Sequence, residues 1–188
     1  NFKKLKKNYA KGSELKNKTL GIIGLGRIGQ EVAKIGYGCG MNIIFCDHFL
    51  NEAKIKINFS DGQSISFTPL SVSFDELLGK SDYITLHVPS QKDYLLDEKE
   101  FGKMKDGVGI VNAARGGVLN EESLIKFIDS GKIKFAGLDT FENEPNPSIK
   151  TLMNSKISLT PHIGAATSEA QKRIGLELAD QIISIVHN

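Results

Sequence analysis

The stretch Gly24-Leu25-Gly26-Arg27-Ile28-Gly29 constrains this chain more than any other. It follows an apolar β-rich run, Thr19–Ile23, and opens a helical segment over residues 28–35. Each glycine has a physical task in a strand-to-helix turn of this kind. Gly24 permits the tight turn, Gly26 lets a pyrophosphate approach the backbone, and Gly29 lets helix and strand come close. The N–H groups at the start of the helix then hold the negative charge. Ile28 lies inside this cradle, and Arg27 either helps neutralise the pyrophosphate or is a solvated surface arginine. A glycine string alone is weak evidence, but here the next apolar run, Asn42–Cys46, ends at Asp47, close to the roughly 20-residue spacing expected of a ribose-binding acid. Such a carboxylate accepts hydrogen bonds from the adenosine ribose hydroxyls and repels a 2′-phosphate, which points to NAD rather than NADP.

The rest of the chain repeats the strand–helix alternation. Strands are predicted at Thr19–Ile23, Asn42–Cys46, 83–87, 109–112, 135–139 and 157–160, several of them near-continuous apolar runs. Helices are predicted at 28–35, 74–78, 121–130 and Ser168–Val186. Ser73 with Glu76, and Ser168 with Gln171, have the spacing of capping boxes. Asn120 is the natural N-cap of the helix that Gly131 ends. In the last helix Ile174, Leu178, Ile182 and Ile185 form an apolar stripe suited to packing. Residues 51–72 are less regular, with a turn at 60–63 and one further strand near 65–68. The pattern predicts an α/β fold: a Rossmann-type doubly wound parallel sheet in a single domain, with helices at both ends. Its expected divisions are a lead-in over 1–18, a cofactor domain over 19–167 and a returning helix over 168–188.

Composition excludes more than it identifies. A net charge of +2 on 188 residues points away from nucleic acid, and the lysines of the lead-in (Lys3, Lys4, Lys6, Lys7, Lys11) read as a solvated helix. No run approaches the roughly 20 apolar residues of a membrane span, and no signal peptide is visible. The two cysteines, Cys39 and Cys46, form neither a CxxC pair nor a zinc spacing. No metal site and a reducing, cytoplasmic setting are therefore expected.

Three polar residues stand at or just past the ends of predicted strands, where an open α/β sheet takes its ligands. They are Arg115, Glu144 and His162. Oxidising a 2-hydroxy acid calls for this set: a histidine to take the hydroxyl proton, a carboxylate to orient it, and an arginine fork for the substrate carboxylate. Each also has a structural reading, as a loop histidine, a salt-bridged arginine or a solvent-facing carboxylate. His48 and His187 are read as structural, and His87, at a strand end beside the crevice, as structural first and supporting second.

The wording of the chain resembles the NAD-binding domain of the D-isomer-specific 2-hydroxyacid dehydrogenases. The resemblance is carried by residues 20–29, by Leu86-His87-Val88-Pro89, by Asn112-Ala113-Ala114-Arg115-Gly116-Gly117, by residues 137–145 and by residues 160–167. It implies that Arg115 binds the substrate carboxylate, that Glu144 pairs with His162, and that His162 is the acid/base. It also implies that Asp139 holds the nicotinamide carboxamide, and that His87, Val88, Pro89, Ala113, Ala114 and Gly164 line the nicotinamide pocket. Departures from the family wording are Ser90-Gln91-Lys92 after Pro89, Leu119-Asn120 after the glycine pair, and the segment 51–72.

Family members carry a second, substrate-binding domain that this chain, beginning at Asn1, is expected to lack, so that alone it binds NAD and turns over substrate poorly or not at all. The substrate implied is a small 2-hydroxy or 2-keto acid, with D-3-phosphoglycerate first and hydroxypyruvate, glyoxylate or D-lactate as alternatives. A homodimer through this domain is implied as well. A NAD-sensing corepressor-like module is the alternative of another class.

Overall fold

Apolar side chains alternate across the first strand, β1 (Thr19–Ile23): Leu20 and Ile22 enter one hydrophobic cluster and Ile23 the other. The next strand, β2 (Asn42–Cys46), does the same, with Ile43 and Phe45 on one side and Ile44 on the other. Strands buried on both faces in this way belong inside a parallel sheet. The computed structural model, which describes residues 2–8 and 12–186, bears this out.

After α1 (Phe2–Asn8), β1 leads into α2 (Arg27–Gly38) and then β2. A hairpin of β3 (Ile55–Asn58) and β4 (Ser64–Phe67) follows, then the short strand β5 (Leu70–Ser71) and α3 (Phe74–Lys80). Next come β6 (Tyr83–Leu86), α4 (Glu98–Lys103), β7 (Val108–Asn112), α5 (Glu121–Asp129) and β8 (Ile133–Leu138). The chain ends with α6 (Ile149–Leu152), β9 (Ile157–Leu159) and α7 (Ser168–Val186). The main sheet has seven strands in the order β5-β2-β1-β6-β7-β8-β9, all paired in parallel. Numbered along the chain within the sheet, its first six positions are the 3-2-1-4-5-6 order of dinucleotide-binding folds. The order reverses between β1 and β6, so the loops leaving these two strands part and open a crevice at the C-terminal edge.

Helices lie on both faces. α2 covers the cluster of Leu20, Ile22, Ala33, Met41, Ile43 and Phe45, while α3, α4 and α5 cover the larger cluster built on Leu77, Leu78, Ile84, Phe101, Ile110, Leu124 and Ile128. Beyond β6 the α2 side is more open, and Val111 and Phe135 are 40% and 37% exposed there.

Several local expectations need correction. Residues 51–72 form a two-stranded antiparallel hairpin plus the edge strand β5, where the sequence pattern suggested one strand. Helices α4 and α6 were not foreseen, although α4 carries a complete capping box in which Asp97 and Glu100 each accept from the other's end of the turn. The box expected at Ser73 is half formed: Ser73 accepts from the Glu76 amide. At α7 the cap is Thr167, whose hydroxyl accepts from the Ala170 amide, and Ser168 is the first helical residue. The α7 stripe stays exposed, with Ile174, Leu178 and Ile182 each more than half accessible. Asn120 caps α5 as expected by accepting from the Ser123 amide, and Gly131, at φ +82°, follows the helix. Lys11 and His187 lie outside the described residues.

Gly21 shows how closely α3 sits on β1. A Cβ there would stand 2.1 Å from Ser81 Oγ and 2.8 Å from Leu77 Cδ2. Gly21→Ala should therefore overpack the interface and cost about 1–3 kcal/mol. That predicts a thermal midpoint lower by very roughly 2–10 °C in a domain of this size. An unchanged melting curve would show that the α3–β1 contact is looser than described.

Candidate functional site

The glycine turn takes its shape from close backbone contact. Gly24 has φ +90°, and a Cβ on it would meet the His87 carbonyl oxygen at 2.5 Å, so β1 and β6 can part here only over a residue without a side chain. A Cβ on Gly29 would stand 2.2 Å from the Gly24 carbonyl oxygen, so α2 can start against the turn only because Gly29 lacks one. Gly26, the N-cap of α2, is different: a Cβ there meets nothing within 4 Å. The space over Gly26 faces an open helix N-terminus, the arrangement that receives a phosphate.

Asp47 closes this side of the crevice. One carboxylate oxygen accepts from the Leu25 amide at 2.7 Å, and the other accepts from the Phe49 and Leu50 amides at 2.8 and 3.1 Å. Partial burial works to raise its pKa, but together the amides of Phe49, Leu25 and Leu50 hold it below the ordinary carboxylate value. Asp47 is thus ionised at neutral pH and fixed to the glycine turn itself. Arg27, beside Gly26, points to α7, where its guanidinium donates to both carboxylate oxygens of Glu177 at 3.1 Å.

At the other end of the crevice the loops after β8 and β9 bring Glu144 and His162 together. His162 Nδ1 lies 2.8 Å from Glu144 Oε2, and Glu144 Oε1 accepts from the Phe141 amide at 2.9 Å. The imidazole contact, seconded by that amide, draws the Glu144 carboxyl below its usual range. The His162 backbone has φ +53°, an uncommon conformation for a residue with a side chain. Asp139 holds it there. This buried carboxylate accepts from Thr160 Oγ1 at 2.6 Å, from the Ile163 amide at 2.9 Å and from the Gly164 amide at 2.8 Å. Burial opposes ionisation of Asp139, yet these three donors, with His162 nearby, leave its pKa below the ordinary value.

Arg115 is exposed on the loop after β7, and its Nη1 donates to the Ala114 carbonyl at 2.6 Å. Asn112, buried at the end of β7, ties the loop by accepting from the Ala114 amide and donating to the Arg115 carbonyl. His87 is another matter. Burial lowers its pKa to about 4, and its Nε2 lies 3.0 Å from Thr85 Oγ1 inside the fold. His87 is neutral over the physiological range, whereas His162 is exposed and paired with a carboxylate.

Sequence reasoning missed two carboxylates beside this site. Glu121 and Glu142 each accept from the other's backbone amide, at 2.7 and 2.6 Å. The first-turn position of Glu121 in a capped helix was the one available signal. Against the pair Glu144 and His162 lies an apolar-walled cavity of about 470 Å³, lined also by Phe141, Pro145, Leu152 and Leu159. Among the described residues no helix is long and apolar enough to cross a membrane.

Comparison with known proteins identifies the family. The family model described as the NAD binding domain of D-isomer specific 2-hydroxyacid dehydrogenases matches residues 2–164. A hydroxypyruvate reductase of Thermotoga maritima is 44% identical over 184 residues, which is 95% of this chain and 56% of that protein. A D-3-phosphoglycerate dehydrogenase of Archaeoglobus fulgidus is 42% identical over 177 residues, 93% of this chain and 32% of that protein. The crystal structure of a D-lactate dehydrogenase from Aquifex aeolicus, complexed with NAD and lactic acid, matches with a TM-score of 0.74 at 32% identity, covering 99% of this chain and 59% of that one. This chain therefore spans from about a third to just over half of the length of these curated relatives. It belongs to the D-isomer specific 2-hydroxyacid dehydrogenase family, as the family's NAD-binding domain.

Proposed function

We propose that this chain is the cofactor half of an oxidoreductase that moves a hydride between NAD(H) and C2 of a D-2-hydroxy or 2-keto acid. The observation that carries the reading is the His162–Glu144 contact of 2.8 Å, on a loop pinned by Asp139 at the same edge of the sheet as the glycine turn. The cofactor fits the residues present. Gly26 leaves room over the first turn of α2 for a pyrophosphate, with Arg27 and the Ile28 backbone beside it. Asp47 and Asp139 each accept three hydrogen bonds from the protein, and an ionised carboxylate has roughly four acceptor positions. The position left on Asp47 serves a ribose hydroxyl, and the one left on Asp139 serves the carboxamide of the nicotinamide. The backbone of His87, Val88, Pro89, Ala113, Ala114 and Gly164 lines that ring.

Bound NAD supplies the hydride acceptor or donor. His162 handles the proton: with Nδ1 turned to Glu144, its Nε2 takes the hydroxyl proton in oxidation and returns it to the carbonyl oxygen in reduction. Glu144 fixes the imidazole orientation and its tautomer. Arg115 offers the remaining N–H groups of its fork to the substrate carboxylate. D-3-phosphoglycerate is the first substrate to test, followed by hydroxypyruvate, glyoxylate and D-lactate. The reading includes a substrate domain flanking this one, pairing of two copies through this domain, and a cytoplasmic setting.

Titration of the chain with reduced nucleotides, followed by nucleotide fluorescence, should show NADH binding at least about tenfold tighter than NADPH, since Asp47 repels a 2′-phosphate. Binding of neither nucleotide would sink the proposal.

Gly26→Ala separates the cradle from the fold. With φ −68° and open space around it, the added methyl should cost the fold about 1 kcal/mol or less while weakening NADH binding at least about tenfold. Unweakened binding with an unchanged melting curve would move the phosphate site elsewhere.

The Glu144 carboxyl, followed by carbon NMR, should titrate below its ordinary value of 4.5. Because the folded value is depressed, the contact stabilises the loop above that ordinary value and is lost as pH falls through the lower one. His162→Ala should return the titration toward 4.5. A wild-type carboxyl that titrates at or above 4.5 is the opposing result.

A further inference from the structure

Glu121 is the first residue of α5, yet it is only 6% exposed. A charge in that position must be matched by donors. Its Oε1 accepts from the Glu142 amide at 2.7 Å, and its Oε2 accepts from the hydroxyl of Thr151 in α6 at 2.8 Å. Glu142 answers in kind. Its Oε1 accepts from the Glu121 amide at 2.6 Å, so its charge sits at the N-terminus of α5, where the helix dipole favours it. The loop after β7, which ends at Glu121, and the loop after β8, which carries Glu142, are thereby joined.

The joint lies between the groups that must act together. On one side Gly116, next to Arg115, passes so close to the loop after β8 that a Cβ would stand 1.8 Å from the Phe141 carbonyl oxygen. On the other side Glu144 accepts from the Phe141 amide and holds His162. A shift of Glu142 therefore moves Phe141, and with it both the wall of the Arg115 loop and the anchor of Glu144.

We propose that Glu121 and Glu142 form a carboxylate clasp that positions Glu144, and through it His162, relative to Arg115. Both are positioning residues. The inference rests on the reading of Glu144 and His162 as the proton-handling pair. It adds that the geometry of this pair is set by two acids that touch neither of them.

The test compares Glu142→Ala with Glu142→Gln in this chain. The glutamine keeps an acceptor for the Glu121 amide, and the alanine removes it. The readouts are the His162 tautomer, from imidazole nitrogen shifts at a pH where the ring is neutral, and amide exchange at Ile163. Wild type and Glu142→Gln should hold the tautomer protonated at Nδ1. Glu142→Ala should give a mixture, with Ile163 exchange faster by about tenfold. A tautomer unmoved by Glu142→Ala, or lost as completely in Glu142→Gln, overturns the clasp. Should Glu142→Ala fail to fold, Glu121→Asp, which withdraws the other acceptor by one methylene, is read in the same way. If wild type binds no NADH, the proposed function fails, while the tautomer comparison still decides the clasp.

Discussion

The geometry of the candidate site depends first on the Asp139 carboxylate. It follows a core strand, is 7% exposed, and meets three donors from one short loop. A buried carboxylate without donors would be protonated, and its loop would be free to move. With Thr160, Ile163 and Gly164 bound to it, the charge is kept and the loop is locked. The lock also explains why His162 can hold φ +53°. Such a conformation costs on the order of 1 kcal/mol or more and persists only where its surroundings over-determine it. Here the hydrogen bonds on either side of the histidine do so.

Asp47 repeats the same construction at the other end of the crevice. Each acid follows a sheet strand, each spends three acceptor positions on loop donors (Asp47 on its own loop and the glycine turn, Asp139 on the histidine loop), and each has its pKa lowered by those donors against the pull of burial. The histidine loop is thus fixed chiefly by a carboxylate, while the glycine turn is held by one carboxylate hydrogen bond at the Leu25 amide together with the buried Leu25 side chain. That suits the position of the histidine loop. A loop at the mouth of a crevice has little apolar surface to bury, and hydrogen bonds to an ionised acceptor are stronger than those between neutral groups.

Legibility in the sequence followed the physics of each element. The central strands β1, β2 and β6 were readable because both of their faces are buried, and β7 and β8, more open on the α2 side, because they still present short apolar runs. The glycine turn was readable because backbone contacts at Gly24 and Gly29 admit no other residue. Asn120 was readable as a cap because its side chain bonds within its own turn. The hairpin over 51–72 was not, since its strands are short and largely exposed and leave little hydrophobic alternation. The cap of α7 was misplaced by one residue because Thr167 and Ser168 have the same chemistry, and the structure chose the first. The α7 stripe has helical spacing, but spacing does not say what lies opposite it. Arg115, Glu144 and His162 could be named from their places at strand ends. The Glu121–Glu142 exchange could not, because it joins residues from two loops through each other's amides.

His87 and His162 separate what a sequence shows from what a site requires. Both follow strands at the C-terminal edge, so position alone does not rank them. Burial drives His87 to a pKa of about 4, where it is neutral at any pH the cell offers. It can pack or accept but does not exchange a proton with a substrate near neutrality. His162 is exposed, faces a carboxylate at 2.8 Å, and keeps its second ring nitrogen directed away from that contact. The burial that makes the sheet stable thus disqualifies the histidine nearest the core. In the proposed reading, proton chemistry is left to the histidine that a buried aspartate holds out at the rim.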